Sequence, residues 1–133
     1  MSEENLDLVR RGLDAYQRRD VQGMCDVAHA QCELFTFTVG VVEAQPFVGH
    51  AGIANWMSQE LEPWEEWRLE PREIRKVGER VLVRTMVTAR GQGSSVKLSA
   101  DAGVVFEFQD GRIMRLWSYL NWNDALEAVG LSE

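Results

Sequence analysis

Three residues near the N-terminus have the types and the spacing of metal ligands. Cys25, His29 and Cys32 form a Cys-x3-His-x2-Cys pattern, and thiolates and imidazoles are the usual ligands of zinc. Cys25 and His29 would share one face of a helix, because they are four residues apart. However, no fourth ligand lies nearby, and the flanking residues have the pattern of an ordinary amphipathic helix. We therefore predict buried thiols beside a helix-terminal imidazole, with no metal and no other cofactor.

Tyr16 and His50 could perform acid–base chemistry, with the hydroxyl as donor and the imidazole as base. Each residue also has a structural interpretation. Tyr16 could be a core tyrosine whose hydroxyl reaches the rim of a pocket, and His50 could face solvent at the start of a helix. Arg84 and Asp101 could form an ion pair, but they lie on the more polar side of their predicted strands. A dimer contact or a solvated position is therefore favoured for them over catalysis.

The composition limits the classes of partner. The chain has 133 residues, an apolar fraction of 45% and a formal net charge of −7, so we predict a single domain over residues 1–133. The negative charge argues against nucleic acids and anionic membrane surfaces as partners. No apolar run is long enough to span a bilayer, and the first residues contain no signal-peptide core. A cytoplasmic location is therefore expected.

The predicted helices follow from apolar residues at helical spacing. Such spacing occurs within residues 4–19, and Asp20 then has the type of an N-cap for a second helix through about residue 28. Residues 50–61 return to helical spacing through Ile53, Trp56, Met57 and Leu61. A last short helix is predicted to start at Asn123 and Asp124 and to stop at Gly130.

The predicted strands begin with residues 33–42 and continue with residues 67–76 and 80–89. Residues 95–122 then form two extended runs that meet at Asp110 and Gly111, which is a strong hairpin signal. Helices followed by such a meander predict an α+β fold. We expect a curved antiparallel sheet wrapped around three N-terminal helices, forming a cone with an internal pocket.

The two faces of the hairpin differ, because successive side chains of a strand point to opposite sides. One face is apolar and is predicted to line the cone. The other carries Val105, Trp117 and Tyr119, and large aromatic residues on an outer sheet surface favour an interface. We therefore predict a homodimer that forms through these three residues.

Four segments in this order resemble the SnoaL-like group of the nuclear transport factor 2-like superfamily, whose members have a cystatin-like α+β cone. They are RRD (18–20), FVGHAGIANW (47–56), FEFQDGRI (106–113) and DALEAVGL (124–131). The resemblance implies a curved sheet, a pocket in the cone and commonly a homodimer through the outer face. It implies no single reaction, because this fold hosts isomerases, cyclases, epoxide hydrolases, dehydratases and binding proteins.

The resemblance also locates the positions of known catalytic groups. The base and the two oxyanion donors of ketosteroid isomerases match Thr36, Gly12 and Val104. Thr36 cannot abstract a carbon-bound proton near neutral pH, and Gly12 and Val104 offer no side-chain donor. The aspartate of SnoaL-type polyketide cyclases matches Ser118 and is lost as well. These residues therefore argue against the known isomerase and cyclase mechanisms.

The leading interpretation is a protein that binds a small hydrophobic molecule. The predicted pocket wall consists of Tyr16, Phe35, Thr36, Trp56, Val83, Thr85, Val104, Phe106, Ser118 and Leu120. Trp64 and Trp67 could rim the mouth of the cone or cover the edge of the sheet. Two alternatives remain open: a small isomerase, cyclase or dehydratase that uses Tyr16 and His50, and a dimeric scaffold whose outer sheet face binds another protein.

Overall fold

The computed structural model describes residues 2–36 and 45–131, which form helices on both sides of a curved sheet. The helices are α1 (Ser2–Gln17), α2 (Val21–Val27), α3 (Gly49–Leu61) and α4 (Trp122–Ala128). The strands are β1 (Ala28–Phe35), β2 (Phe47–Val48), β3 (Trp64–Val77), β4 (Arg80–Gly91), β5 (Lys97–Gln109) and β6 (Arg112–Tyr119). Residues 37–42 of the first predicted strand lie outside the described residues.

The first helices form where the apolar spacing predicts them. The side chain of Asp20 caps α2 by accepting a hydrogen bond from the Gly23 N–H at 3.0 Å, which satisfies one of the free donors of the first turn. The helix α2 ends at Val27 and β1 begins at Ala28, so β1 starts five residues before the predicted strand. His29 consequently lies in a strand, and the prediction that it shares a helical face with Cys25 is wrong.

The last helix begins earlier than predicted. Its N-cap is Asn121, whose side-chain oxygen accepts hydrogen bonds from the N–H groups of Asn123 at 2.7 Å and Asp124 at 3.4 Å. Gly130 follows the helix with a φ of 80°, a left-handed conformation that glycine adopts without strain. None of the described helices has the length and apolar character needed to cross a membrane.

The sheet has the strand order β2-β1-β6-β5-β4-β3. The predicted meander from β3 to β6 is present, and all of its neighbouring strands are antiparallel. The α+β prediction is therefore confirmed. The sheet is nevertheless mixed, because β1 runs parallel to β6. This pairing joins distant residues such as Glu33 and Arg115, which are 82 positions apart along the chain, so no short turn sets the relative direction.

Two apolar cores lie on opposite sides of the sheet. The larger one packs the inner face against α1, α2 and α3. The smaller one lies on the outer face, where α4 covers Leu82 and Val105. A Cβ atom at Gly103 would lie 2.5 Å from the Cβ of Ala125, so the missing side chain lets α4 approach the sheet closely.

The outer core contradicts part of the dimer interface that was predicted on the outer sheet surface. Val105 is 1% exposed, so the expected exposed patch is wrong at this residue, because α4 of the same chain already covers it. Trp117 and Tyr119 pack at the edge of this core and remain partly exposed.

Candidate functional site

A small cavity lies between the inner face of the sheet and the helices α1 and α3; we call it the deep cavity. Its wall includes Tyr16, Trp56, Glu60, Phe106 and Ser118. The volume is about 30 Å³, which is enough for a water molecule or two. The deep cavity therefore has room for one polar group of a ligand but not for a whole ring system.

A wider depression, which we call the mouth groove, opens to solvent beside the deep cavity. It has a volume of about 570 Å³, a size typical of small-molecule sites. Its wall includes Trp64, Trp67, Leu98 and Leu120, and the rings of the two tryptophans lie 5.5 Å apart. Leu98 and Leu120 are 55% and 60% exposed. The mouth groove is thus an apolar surface that residues 2–36 and 45–131 leave uncovered.

Glu60 lines both the deep cavity and the mouth groove. The apolar stripe of α3 runs through Ile53, Trp56 and Met57 to Leu61, and Glu60 occupies the next inward position of this stripe, seven residues after Ile53. The helix therefore turns the carboxylate toward the core, where the residue is only 5% exposed. Glu60 is the acidic group that sequence reasoning missed, although a glutamate in an apolar helical stripe is a readable signal.

Burial controls the protonation of Glu60. Removal from water raises the pKa of its carboxyl from the usual 4.5 to about 7. The Tyr16 hydroxyl donates a hydrogen bond to Glu60 Oε2 at 3.0 Å, and this bond, with the Trp56 N–H, acts in the opposite direction on the pKa. Both forms of the carboxyl are therefore populated near neutral pH, as acid–base chemistry requires.

Aromatic rings hold the carboxyl in place. The Tyr16 ring stacks on Trp56 with a centroid separation of 5.2 Å. Burial and the Glu60 carboxylate raise the pKa of Tyr16, so its hydroxyl stays protonated and remains a donor. Trp56 Nε1 and Trp67 Nε1 are buried and make no hydrogen bond of standard geometry to any described residue. Each still acts on a neighbour, because the Trp56 N–H lowers the pKa of Glu60 and the Trp67 N–H lowers that of Tyr16.

The predicted pocket residues fall into separate groups. Those that line the deep cavity are Tyr16, Trp56, Val104, Phe106 and Ser118, and Leu120 lines the mouth groove. Thr36, Val83 and Thr85 are buried and belong to neither wall. Ser118 Oγ and Thr85 Oγ1 are buried, and neither has a hydrogen-bond partner within the described part of the chain. Gly12, the position matched to an isomerase donor, lines the deep cavity as well.

Phe35 lies elsewhere. It is opposite Trp117 in the parallel β1–β6 pair, and the two rings stack at 5.5 Å. Trp117 belongs to the outer core, so Phe35 is on the outer face and the prediction that it lines the pocket is wrong. The physical reason is strand alternation: Leu34, the neighbour of Phe35 in β1, belongs to the inner core, so Phe35 points to the other face.

His50 does not meet Tyr16. It is exposed at the start of α3, where its Nε2 lies 3.1 Å from the Ala28 carbonyl oxygen. Glu60 follows ten residues later, which is about 15 Å along a helix axis. In the structure, the ionisable partner of Tyr16 is therefore Glu60 and not His50.

The three candidate metal ligands differ in their surroundings. Cys25 and Cys32 are buried free thiols, and His29 Nε2 lies 3.5 Å from Asp110 Oδ2. Burial raises the pKa of both thiols, which disfavours the thiolate that a metal would bind. Within residues 2–36 and 45–131, no group of three histidine, cysteine or acidic side chains is placed to hold a metal ion.

A family model described as the SnoaL-like domain matches residues 9–116. The chain belongs to the SnoaL-like domain family. The resemblance inferred from the four sequence segments is therefore confirmed. No curated protein matches this SnoaL-like chain.

Solved structures share the fold of this SnoaL-like domain. TerC, co-crystallised with polyporic acid, has a TM-score of 0.77 at 20% identity, covering 89% of this chain and 92% of TerC. An NTF2-like protein of unknown function from Burkholderia pseudomallei K96243 has a TM-score of 0.77 at 18% identity, covering 96% of this chain and 98% of the other.

A third structure is a protein with a ketosteroid isomerase-like fold from Catenulispora acidiphila DSM 44928, in complex with trimethylamine. It has a TM-score of 0.74 at 13% identity, covering 93% of this chain and 92% of the other. At these identities the similarity shows a common fold and leaves the activity to the chain's own residues.

Proposed function

We propose that this SnoaL-like domain binds a small, largely apolar molecule in the mouth groove, with Glu60 as its ionisable contact. The observation that carries the proposal is the position of Glu60, a buried carboxylate that lines both the groove and the deep cavity. A ligand whose body fills the groove could place one polar group beside this carboxylate. The complexes of TerC with polyporic acid and of the Catenulispora protein with trimethylamine support small-molecule binding by this fold.

The apolar wall of the groove supports the same proposal. Leu98 and Leu120 are more than half exposed, and burying such side chains under a ligand is favourable at about 25 cal/mol per Å² of apolar area. Trp64 and Trp67 offer ring faces on the same wall. A bound molecule would therefore change the environment of tryptophan, which provides a direct signal for binding.

The test is a titration of the protein with a panel of steroids, aromatic polyketides and terpenoids. We expect quenching of tryptophan fluorescence and a rise in melting temperature for at least one class. Leu98→Asp should weaken that binding by about ten-fold or more, because it places a charge on the apolar wall. Val96→Asp is the matched control, since Val96 is 63% exposed but does not line the groove. If neither assay detected binding of any class of compound, the proposal would be refuted.

A second candidate function is catalysis of a proton transfer, as in an isomerase, cyclase or dehydratase. The pKa of Glu60 near 7 favours it, because a general acid or base works best near the ambient pH. Tyr16 would position the carboxyl through its hydrogen bond. Ketone members of the panel should then take up deuterium from D2O at the carbon next to the carbonyl. Glu60→Gln should slow this uptake by about 10²–10⁴-fold, and uptake that Glu60→Gln leaves unchanged would refute this candidate.

Three expectations from the sequence stay predictions: the homodimer, the cytoplasmic location and a single domain over residues 1–133. For the homodimer, the partly exposed Trp117, the Tyr119 beside it and the stacked ring of Phe35 still offer an aromatic surface on the outer face. Light scattering at micromolar concentration should give twice the monomer mass. Trp117→Arg should reduce the measured mass to that of one monomer.

A further inference from the structure

Glu60 differs from the other acidic side chains in its charge environment. It is the only buried acid in the described part of the chain, and the polar groups that act on it are the Tyr16 hydroxyl and the Trp56 N–H. Partly exposed acids have basic partners instead: Glu33 lies 2.8 Å from Arg115, and Asp101 lies 2.7 Å from Arg84. Among the described residues, the carboxylate with the least access to water therefore has no ion pair.

Among the residues that the structure describes, none with a basic side chain lines the walls around Glu60. In this part of the chain, neither the deep cavity nor the mouth groove is lined by lysine, arginine or histidine. Arg19 is a cation that acts on this network, since it lowers the pKa of Tyr16. With Arg68 and Glu70 it lines a third opening, which shares Tyr16 and Trp67 with the walls around Glu60. An anionic ligand in the mouth groove would therefore meet the negative charge of Glu60 with no described basic side chain on the same wall.

Aromatic rings surround the same point. Tyr16 and Trp56 line the deep cavity beside Glu60, and Trp64 and Trp67 line the mouth groove beside it. The faces of such rings carry partial negative charge and attract organic cations, most strongly when water is excluded. A positively charged ligand group would compensate the negative charge of a carboxylate that shares its walls with four aromatic residues. A neutral group would leave that charge uncompensated.

We propose that the ligand of this site is a hydrophobic cation, an organic molecule with an apolar body and a protonated or quaternary ammonium group that pairs with Glu60. The inference rests on the proposed function, because the apolar body would occupy the mouth groove. Beyond that function, the inference specifies the charge of the ligand and locates its charged group beside Glu60.

The proposal fixes the pH dependence of binding. A cation binds the ionised form of Glu60, so its affinity rises with pH through the pKa near 7 and then becomes constant. The groups that face Glu60 are Tyr16 on α1, Trp56 on α3, Trp67 on β3 and Ser118 on β6, and none of them changes charge in this range. A neutral ligand that accepts a hydrogen bond from the protonated carboxyl would show the opposite trend.

The test uses two probes of the same shape, phenyltrimethylammonium and its neutral counterpart tert-butylbenzene, titrated into the full chain between pH 5.5 and 8.5. Tryptophan quenching and calorimetry give the dissociation constants. At pH 8 we expect the cation to bind at least about ten-fold more tightly than the neutral probe. Its affinity should fall about ten-fold from pH 8 to pH 6, as the ionised fraction of a group with a pKa near 7 does.

Glu60→Gln should remove both the preference for the cation and the pH dependence, while Val96→Asp should retain them. Equal binding of both probes at every pH, or a preference that survives in Glu60→Gln, would overturn the inference and leave the apolar groove site standing. Failure of both probes would also overturn it. The steroid, polyketide and terpenoid panel then decides separately whether the groove binds any small molecule.

Discussion

The two faces of the sheet treat acidic side chains in opposite ways. On the outer face, Arg84 donates two hydrogen bonds to Asp101, at 2.9 and 2.7 Å. The guanidinium groups of Arg84 and Arg75 lie over the ring of Trp122, 5.0 and 5.7 Å from its centroid. Asp101 therefore has a positive partner and access to water, and Arg84 lowers its pKa. This pairing is typical of a structural surface.

On the inner face, Glu60 is only 5% exposed and has no positive partner among the described residues. Its pKa is raised by burial, which means that the folded chain is destabilised when the carboxyl ionises. Aliphatic residues at this position would pack into the core without that cost. A group that lowers stability and lies in a cavity is a candidate for function. The difference between the faces therefore separates an acid that stabilises the fold from one that serves a site.

The largest expected effect comes from neutralising Glu60, the buried acid on the inner face of the sheet. Glu60→Gln keeps the size of the side chain and an acceptor for the Tyr16 hydroxyl. A folded pKa near 7 against the usual 4.5 corresponds to about 3 kcal/mol, at about 1.4 kcal/mol for each pKa unit. Because the folded state holds this proton more tightly, wild-type stability decreases as pH rises from about 4.5 to 7. In urea unfolding, the advantage of Glu60→Gln should grow by about 3 kcal/mol between pH 4 and pH 8.5.

The difference in stability between wild type and Glu60→Gln isolates the contribution of Glu60, because all other titrating groups are common to both proteins. Tyr16→Phe is a useful companion, since it removes the donor and should raise the pKa of Glu60 further. A constant stability difference between wild type and Glu60→Gln across this pH range would show that Glu60 is not a costly buried acid. The contrast between the two faces would then disappear.

Local signals in the sequence were sufficient for most of the fold. The stripes of α1 and α3, the Asp20 cap and the turn at Asp110 and Gly111 depend on neighbours within a few residues, and the structure contains all of them. The parallel direction of β1 beside β6 depends on contacts between distant segments. The wrong face predicted for Phe35 has a different cause, because alternation in a strand places Phe35 opposite its inward neighbour Leu34.

The site was predictable only in part. The inward parity of Val104, Phe106 and Ser118 followed from strand alternation, and their place in the deep cavity agrees with it. Glu60 was within reach of the same reasoning, because it occupies an inward position of the α3 stripe. It was missed because a glutamate near the end of a helix is ordinarily solvent-exposed. Its partnership with Tyr16, 44 positions away, depends on tertiary packing that no local pattern contains.

The second effect tests the outer face. Gly103→Ala would place a Cβ atom 2.5 Å from Ala125 and 3.1 Å from the Trp122 ring, so α4 would have to move away from the sheet. Overpacking of this kind costs about 1–3 kcal/mol, and we expect a loss of about 2 kcal/mol in urea unfolding. Gly91→Ala is the matched control, because no atom lies within 4 Å of its added carbon. If both variants were equally stable, α4 would not pack closely on this face.

The smallest expected effect comes from the outer acid. Asp101→Asn removes an ion pair whose side chains are 33% and 44% exposed, and partly exposed pairs contribute about 0–1 kcal/mol. Arg84 lowers the pKa of Asp101, so its contribution is present above the usual value of 3.8 and is lost as pH falls below that value. The stability difference between wild type and Asp101→Asn should therefore stay below about 1 kcal/mol at pH 7 and shrink on acidification. For Glu60→Gln the difference grows on raising the pH, and in that case the variant is the more stable protein. If Asp101→Asn followed the pattern of Glu60→Gln, the two faces would not differ in how they hold an acid.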